Sequence, residues 1–358
     1  MASGAVTATE VPAPRANPDL VGHAAAECRL RRLAEAGRLP HAMLLCGPRG
    51  IGKATLAFRL ARFLLARGAA SGGGLAIDPA SGVFQRVAAG GHADLLTIER
   101  AYDPRRRRVR GEIVVEDARE ITGFFRLTAA EEGWRIVIVD GAEEMNRSAG
   151  NALLKILEEP PQRALLVLVS HSPGQLLPTI RSRCRRLALA ALERPLVIQL
   201  LERYRPDIDQ SDASALAALA EGSIGRALEL ADCDGLALYR SIVEMLSQVP
   251  RIDIVRLHGF ADQFVRADAE NTYRAGGELL LQFLARMAAG AARRQLPGAE
   301  TVAGERGAMR HLATRADPAR WAALHSEIEQ RFVAADDLNL DRKEAMLVAF
   351  FAIEELAR

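Results

Sequence analysis

A chain of 358 residues that is 49% hydrophobic and 26% charged has enough apolar material for two or three cores and reads as a soluble globular protein. Its net charge of +2 is too small to name a nucleic-acid partner by itself, and no apolar run reaches membrane-spanning length. Cys28, Cys46, Cys184 and Cys233 are too far apart for a metal knuckle and form no disulfide framework, which fits a reduced, cytoplasmic protein.

Residues 1–18 carry neither the basic start nor the apolar core of a secretory signal, and their Ala, Pro and Thr content predicts a flexible tail. From Leu20-Val21-Gly22-His23 the chain enters an Ala- and Arg-rich helix to about Gly37, broken by Arg38-Leu39-Pro40-His41. Residues 41–46 form an apolar run of the kind that makes a buried parallel strand. Gly47-Pro48-Arg49-Gly50-Ile51-Gly52-Lys53-Ala54-Thr55 follows, and then Leu56, Leu60, Phe63 and Leu64 recur at helical spacing, so a helix opens at about Lys53. Strand, Gly-rich turn and helix in that order are the setting of a phosphate-binding loop. The glycines let successive N–H groups turn toward one anion, the helix N-terminus adds partial positive charge, and Lys53 adds a full one. Of 47 cationic residues only Lys53, Lys155 and Lys343 are lysines, so a lysine kept at this place hints that a compact ammonium is needed. One position departs from the pattern. Hydrolysing loops follow the lysine with a hydroxyl that holds Mg²⁺; here the residue is Ala54, and Thr55 lies about 100° further round the helix.

Residues 67–93, rich in Gly and Ala, read mostly as loop; residues 94–100 and 112–115 are strand-like. Between them Arg105-Arg106-Arg107-Arg108 forms the basic tip of a hairpin or loop, which either meets nucleic-acid phosphates or, as charge runs usually do, faces solvent. Asp117-Ala118-Arg119-Glu120 has a capping-box pattern and starts a helix to Phe125. Residues 134–140 form an apolar strand ending in Asp140, a Walker B candidate whose carboxylate would face the loop's Mg²⁺; the alternative is a helix cap or turn residue. Active AAA+ enzymes usually place Glu directly after this Asp, where this chain has Gly141, and Glu143 and Glu144 stand too far along to be assigned that role. Residues 151–159 are a helix stopped by Pro160-Pro161, and residues 164–169 a strand ending at Ser170, which is either a phosphate-facing group or a turn serine. Arg181, Arg183, Arg185 and Arg186 follow, a cluster that would normally be a solvated face. The alternation up to Leu189 predicts a doubly wound parallel sheet.

Beyond Leu189 the strand signal fades. Residues 195–204 and 213–219 read as helices, and Glu221-Gly222-Ser223-Ile224-Gly225 leads into a helix with Arg226 in its first turn, against the dipole preference. From Asp234 onward the apolar residues keep helical spacing, which predicts a further all-helical domain whose apolar stripes pack internally or against other chains.

Residues 47–55, Asn151-Ala152-Leu153-Leu154-Lys155-Ile156-Leu157-Glu158-Glu159-Pro160-Pro161, residues 177–184 with Ser182-Arg183-Cys184, residues 222–228, and Asn339-Leu340-Asp341-Arg342-Lys343 together resemble the bacterial clamp-loader AAA+ ATPases of the DNA polymerase III holoenzyme. The resemblance runs from about residue 20 to the C-terminal region. It implies an α/β P-loop NTPase (AAA+) domain at 19–190, a small helical lid at 191–235 and an all-α oligomerisation collar at 236–358. It also implies a five-subunit spiral, part of a nucleotidyltransferase complex, that opens a ring-shaped sliding clamp and closes it on primed DNA. The implied partners are gamma/tau- and delta-type subunits, the clamp and primed DNA, with no membrane. The implied ligands are ATP and Mg²⁺, with no zinc, because no cysteine lies between Cys46 and Cys184. Gly47, Pro48, Arg49, Gly50, Ile51, Gly52, Lys53, Ala54 and Thr55 would hold the nucleotide, Asp140 the metal, with Ser170 as sensor 1 and Arg226 as sensor 2. Arg183 would be an arginine finger acting in trans; a planar, permanently charged guanidinium suits a transferring phosphoryl group, and such fingers are worth roughly 10³–10⁵ in rate. Ala54 and Gly141 favour a stator that lends Arg183 over a motor subunit. An ATPase motor of gamma/tau type and a free-standing nucleotide-binding regulator are the other readings.

Overall fold

The computed structural model describes residues 11–69, 73–103, 108–131, 133–266, 269–296, 298–338 and 340–358. The chain forms two compact units, the first ending at Leu196 and the second being Val197–Arg358. In chain order the first contains α1 (Ala24–Glu35), β1 (Ala42–Cys46), α2 (Lys53–Leu65), α3 (Gly82–Ala88), β2 (Leu95–Ile98), β3 (Tyr102–Asp103), β4 (Arg108–Val109), α4 (Val115–Arg126), β5 (Arg135–Asp140), α5 (Arg147–Glu158), β6 (Ala164–Ser170), α6 (Pro178–Arg183) and β7 (Arg185–Ala188). Five strands make a parallel sheet in the order β2-β5-β6-β1-β7.

Successive side chains of a strand point to opposite faces, so one strand feeds two cores. Met43 and Leu45 of β1, Ile136 and Ile138 of β5, and Leu165 and Val167 of β6 pack with α2 and α3. Ala42, Leu44, Val137, Val139, Leu166 and Leu168 pack on the other side with α4, α5 and α6. A sheet covered on both faces needs apolar residues at every position, which is why these strands read as unbroken hydrophobic runs.

Several local expectations shift. The Gly/Ala-rich stretch after α2 contains α3, capped by Ser81 Oγ accepting from the Phe84 amide at 3.3 Å, with Phe84 and Val87 buried. Seven residues are too few to raise a periodic signal from that composition. Residues 112–115 add no strand to the sheet: Ile113 makes one isolated bridge to Met145, and α4 already begins at Val115. Asp117 stands three positions inside that helix, where its carboxylate accepts from the Val114 amide at 2.8 Å. The helix read from Asn151 begins at Arg147, because Asn146 Oδ1 caps it at the Ala149 amide, 2.9 Å away. Of the hairpin and the loop left open above, β3 and β4 pair as a hairpin, but residues 104–107 and the Arg108 side chain lie outside the described residues, as do residues 1–10. Where the expected tail is described it is tied down. Arg62 donates to Arg15 O (2.9 Å) and Asn17 O (2.7 Å), and Arg59 donates to Pro18 O and to Glu27 Oε1 (2.5 Å). An irregular segment crossing a helix needs donors for its carbonyls, and these two buried arginines provide them.

α7 (Arg194–Tyr204) crosses the division between the units, and the second continues with α8 (Gln210–Leu219), α9 (Ile224–Asp232), α10 (Gly235–Gln248), α11 (Ile254–Asp262), α12 (Glu270–Ala292), α13 (Glu305–Ala313), α14 (Pro318–Asp337) and α15 (Arg342–Leu356), helical throughout as expected. Its core is aromatic: Phe260, Phe264, Tyr273, Phe332 and Phe350 meet edge to face at 5.2–6.0 Å. Gly276 and Gly277 of α12 admit two of these rings, since a Cβ there would stand 3.0 Å from Phe264 and 3.1 Å from Phe332. Gln282 of α12 donates to Leu219 O (3.1 Å) and Glu221 Oε1 (2.7 Å), so side-chain bonds cross the expected lid–collar boundary at 235/236. Among the described residues no helix is long and apolar enough to span a membrane.

Candidate functional site

β1, β5 and β6 end side by side at one edge of the sheet. Cys46 registers with Ser170, and Asp140 with Val169. In parallel sheets that edge, beyond the carboxyl ends of the strands, is where ligands bind. The loop leaving β1 turns through Gly47 (φ 150°), Gly50 (φ 73°) and Gly52 (φ 100°) before Lys53 opens α2. A side chain is excluded at Gly47, where a Cβ would lie 2.4 Å from Leu189 O. Lys53 is buried, and its Nζ donates to Gly47 O (2.9 Å) and Pro48 O (2.5 Å), folded against its own loop. Burial lowers the Lys53 pKa, while the charges of Glu143 and Asp140 oppose that shift. The loop therefore offers a helix N-terminus, a glycine-lined turn and a buried ammonium, which fit a phosphate group.

Asp140 ends β5 half-buried, and burial together with Glu99 raises its pKa. Ser170 at the tip of β6 is fully buried, and its Oγ has no hydrogen-bond partner. Ala54 brings no hydroxyl, Thr55 is buried in α2, and Arg49 is exposed on the loop. Among the described residues no group of three or more His, Cys, Asp or Glu is placed to hold a metal ion.

Glu143 was not assigned from the sequence. Gly141 takes a left-handed conformation (φ 76°), and the 3-10 turn Ala142–Glu144 carries Glu143 back to the strand tips. Its Oε1 accepts from the backbone amides of His171 (3.0 Å) and Ser172 (3.3 Å) and meets His171 Nδ1 at 2.9 Å, while its Oε2 is buried without a partner. Burial pushes the Glu143 carboxyl up, but the hydrogen bonds from His171 and the backbone outweigh it and hold the pKa at about 2. Glu144 instead pairs with Arg100 at 2.8 Å. A second unassigned contact sits behind the loop, where His23 Nε2 donates to Ile51 O at 2.7 Å.

The structure thus brings Lys53, Asp140 and Ser170 to one edge of the sheet. Arg183 lies elsewhere, at the end of α6. It bonds Glu158 Oε1 (2.8 Å) and Thr179 O (3.1 Å), with its side chain 37% exposed. Arg226 belongs to the second unit. There Ser223 Oγ caps α9 at the Arg226 amide (3.1 Å), and the guanidinium donates to Gln282 Oε1 (3.2 Å) and lies 3.9 Å from Glu278.

Comparison with known proteins adds an independent line. Residues 22–193 match the family described as DNA polymerase III, delta subunit. The chain is 40% identical over 185 residues to the DNA polymerase III subunit delta' of Pseudomonas aeruginosa, covering 51% of this chain and 53% of that one. It is 32% identical over 215 residues to the DNA polymerase III subunit delta' of Escherichia coli, covering 60% and 61%. The matched stretch therefore spans about half to three fifths of the length of these relatives. Among solved structures, a gamma subunit-related DNA polymerase III protein from Thermotoga maritima aligns over 93% of this chain and 100% of its own, at 18% identity and a TM-score of 0.43. On the match over residues 22–193 and the two delta' relatives, the chain is similar across this stretch to the delta' subunits of DNA polymerase III.

Proposed function

We propose that this chain is a stator subunit of a cytoplasmic clamp loader: it holds ATP on residues 47–55, hydrolyses it weakly or not at all, and lends Arg183 to the nucleotide site of a neighbouring subunit. Its partners in this reading are gamma/tau- and delta-type subunits, a sliding clamp and primed DNA. The lid at 191–235 contributes Arg226 to the nucleotide, and the collar at 236–358 holds the ring together. The carrying observation is the edge where β1, β5 and β6 end: a complete glycine turn with a buried Lys53 stands beside Ala54 and Gly141, which supply neither the metal hydroxyl nor the usual water-polarising carboxylate. A bound Mg²⁺ would neutralise phosphate charge, and Asp140 is the residue that would hold it. Arg183 supports the finger role because its partner Glu158 is 52% exposed; such surface pairs are worth roughly 0–1 kcal/mol and release readily to a stronger anion.

Titration of the isolated chain with a fluorescent ATP analogue, with and without Mg²⁺ and beside Lys53→Ala, tests the nucleotide part. Binding lost in Lys53→Ala with little phosphate released is expected. Arg183→Ala should leave the chain folded and lower ATP hydrolysis by the reconstituted loader; unchanged hydrolysis removes the finger assignment. One observation favours a hydrolysing motor instead, the unpartnered Glu143 Oε2 at the strand tips. Clear Mg²⁺-dependent hydrolysis by the isolated chain, abolished by Glu143→Gln, would bring that reading forward.

A further inference from the structure

We infer that His23 is a positioning residue of the phosphate loop, bracing from behind the turn whose N–H groups receive the nucleotide. The inference rests on reading residues 47–55 as a nucleotide site. His23 occupies the N-cap of α1, a place where Ser, Thr, Asp or Asn normally caps the helix with its side chain. Its side chain makes no cap bond. It is buried and crosses to the loop, where Nε2 donates to Ile51 O at 2.7 Å, 28 positions away in sequence. In a turn whose N–H groups converge on an anion the carbonyls face outward, and a buried carbonyl needs a donor. His23 is that donor for Ile51, the residue between Gly50 and Gly52.

The segment carrying His23 is itself held against the loop. A Cβ on Gly52 would stand 2.8 Å from Leu20 Cδ1 and 3.9 Å from the His23 ring. Gly22 adopts φ +84°, and a Cβ there would lie 2.4 Å from Leu192 Cδ2, so the chain packs closely against Leu192 at this point. Upstream, Arg59 and Arg62 of α2, the helix that the loop opens, hold the carbonyls of Arg15, Asn17 and Pro18. One end of the brace is thus anchored to the helix and the other to the turn. Gly50 and Gly52 have no side chains to stiffen the turn, so His23 restricts the loop to the geometry that presents its amides together.

Two readouts test this. Amide hydrogen exchange at residues 50–54 is measured without nucleotide on wild type, His23→Ala and His23→Gln, since glutamine carries an N–H at nearly the same reach. The fluorescent ATP analogue is titrated into the same three proteins, with circular dichroism to confirm folding. Loss of one buried hydrogen bond should speed exchange of these amides about tenfold in His23→Ala and weaken the analogue by a similar factor. His23→Gln should restore both to within about threefold. Wild-type exchange in His23→Ala overturns the inference. So does a His23→Gln protein as fast as His23→Ala, which would make ring packing the cause. If wild type binds no analogue, the nucleotide reading fails, while exchange still decides whether His23 braces the loop.

Discussion

Replacing Glu143 by alanine should cost more stability at neutral pH than in acid. The carboxylate is 4% exposed, accepts two backbone amides and meets the His171 ring. Its pKa in the folded chain is about 2, against an ordinary 4.5. At about 1.4 kcal/mol per pKa unit, that difference corresponds to about 3 kcal/mol favouring the folded state when the group is ionised in both states. A depressed pKa stabilises above the unfolded value, so the contribution is complete above about pH 5.5 and declines as pH falls from 4.5 toward 2. By pH 3 about 1 kcal/mol of it remains. Because the chain has two units, the assay needs a local reporter. Trp321 is buried in the second unit and Trp134 lies at the start of β5, so urea unfolding by fluorescence in a Trp321→Phe background follows the first unit alone. Glu143→Ala should lower stability there by about 2–3 kcal/mol near pH 7 and by about 2 kcal/mol less near pH 3. A loss that is the same at both pH values would refute the reasoning, because it would come from packing and not from the charge.

Other perturbations test separate parts of the fold. Gly47→Ala places a Cβ 2.4 Å from Leu189 O and should destabilise the first unit by at least about 2 kcal/mol, read as a lowered Tm; a melting curve like that of wild type would mean the turn relaxes freely. Glu27→Ala leaves Arg59 buried without its carboxylate and should cost about 3 kcal/mol in urea unfolding, and a loss below about 1 kcal/mol would show that Pro18 O or solvent satisfies the guanidinium. Asn146→Ala removes the cap at Ala149 and should cost about 1 kcal/mol, with faster hydrogen exchange confined to the first turn of α5.

The strand, glycine turn and helix around Lys53 were legible because their signals are local: spacing of Gly47, Gly50, Gly52 and Lys53, with an apolar strand before and a helical period after, needs no distant partner. The parallel sheet was legible for a related reason, since strands buried on both faces write continuous apolar runs. Short or capped elements were not. α3 is under two turns long, and α5 begins at a cap, Asn146, that precedes its apolar pattern. Arg15 to Pro18 looked loose in composition because the donors that hold it, Arg59 and Arg62, come more than forty residues later.

The sequence by itself determined the fold class, the order of strands and helices along the chain, and the groups Lys53, Asp140 and Ser170 that one sheet edge collects. Only the tertiary structure decided the lateral strand order, which sets β5 and β6 beside one another and lets Glu143 reach the amides of His171 and Ser172. It alone also brought His23 to Ile51 and set Arg183 against Glu158. Periodicity and turn chemistry act over a few residues, whereas these contacts join segments that meet only when the two faces of the sheet are packed.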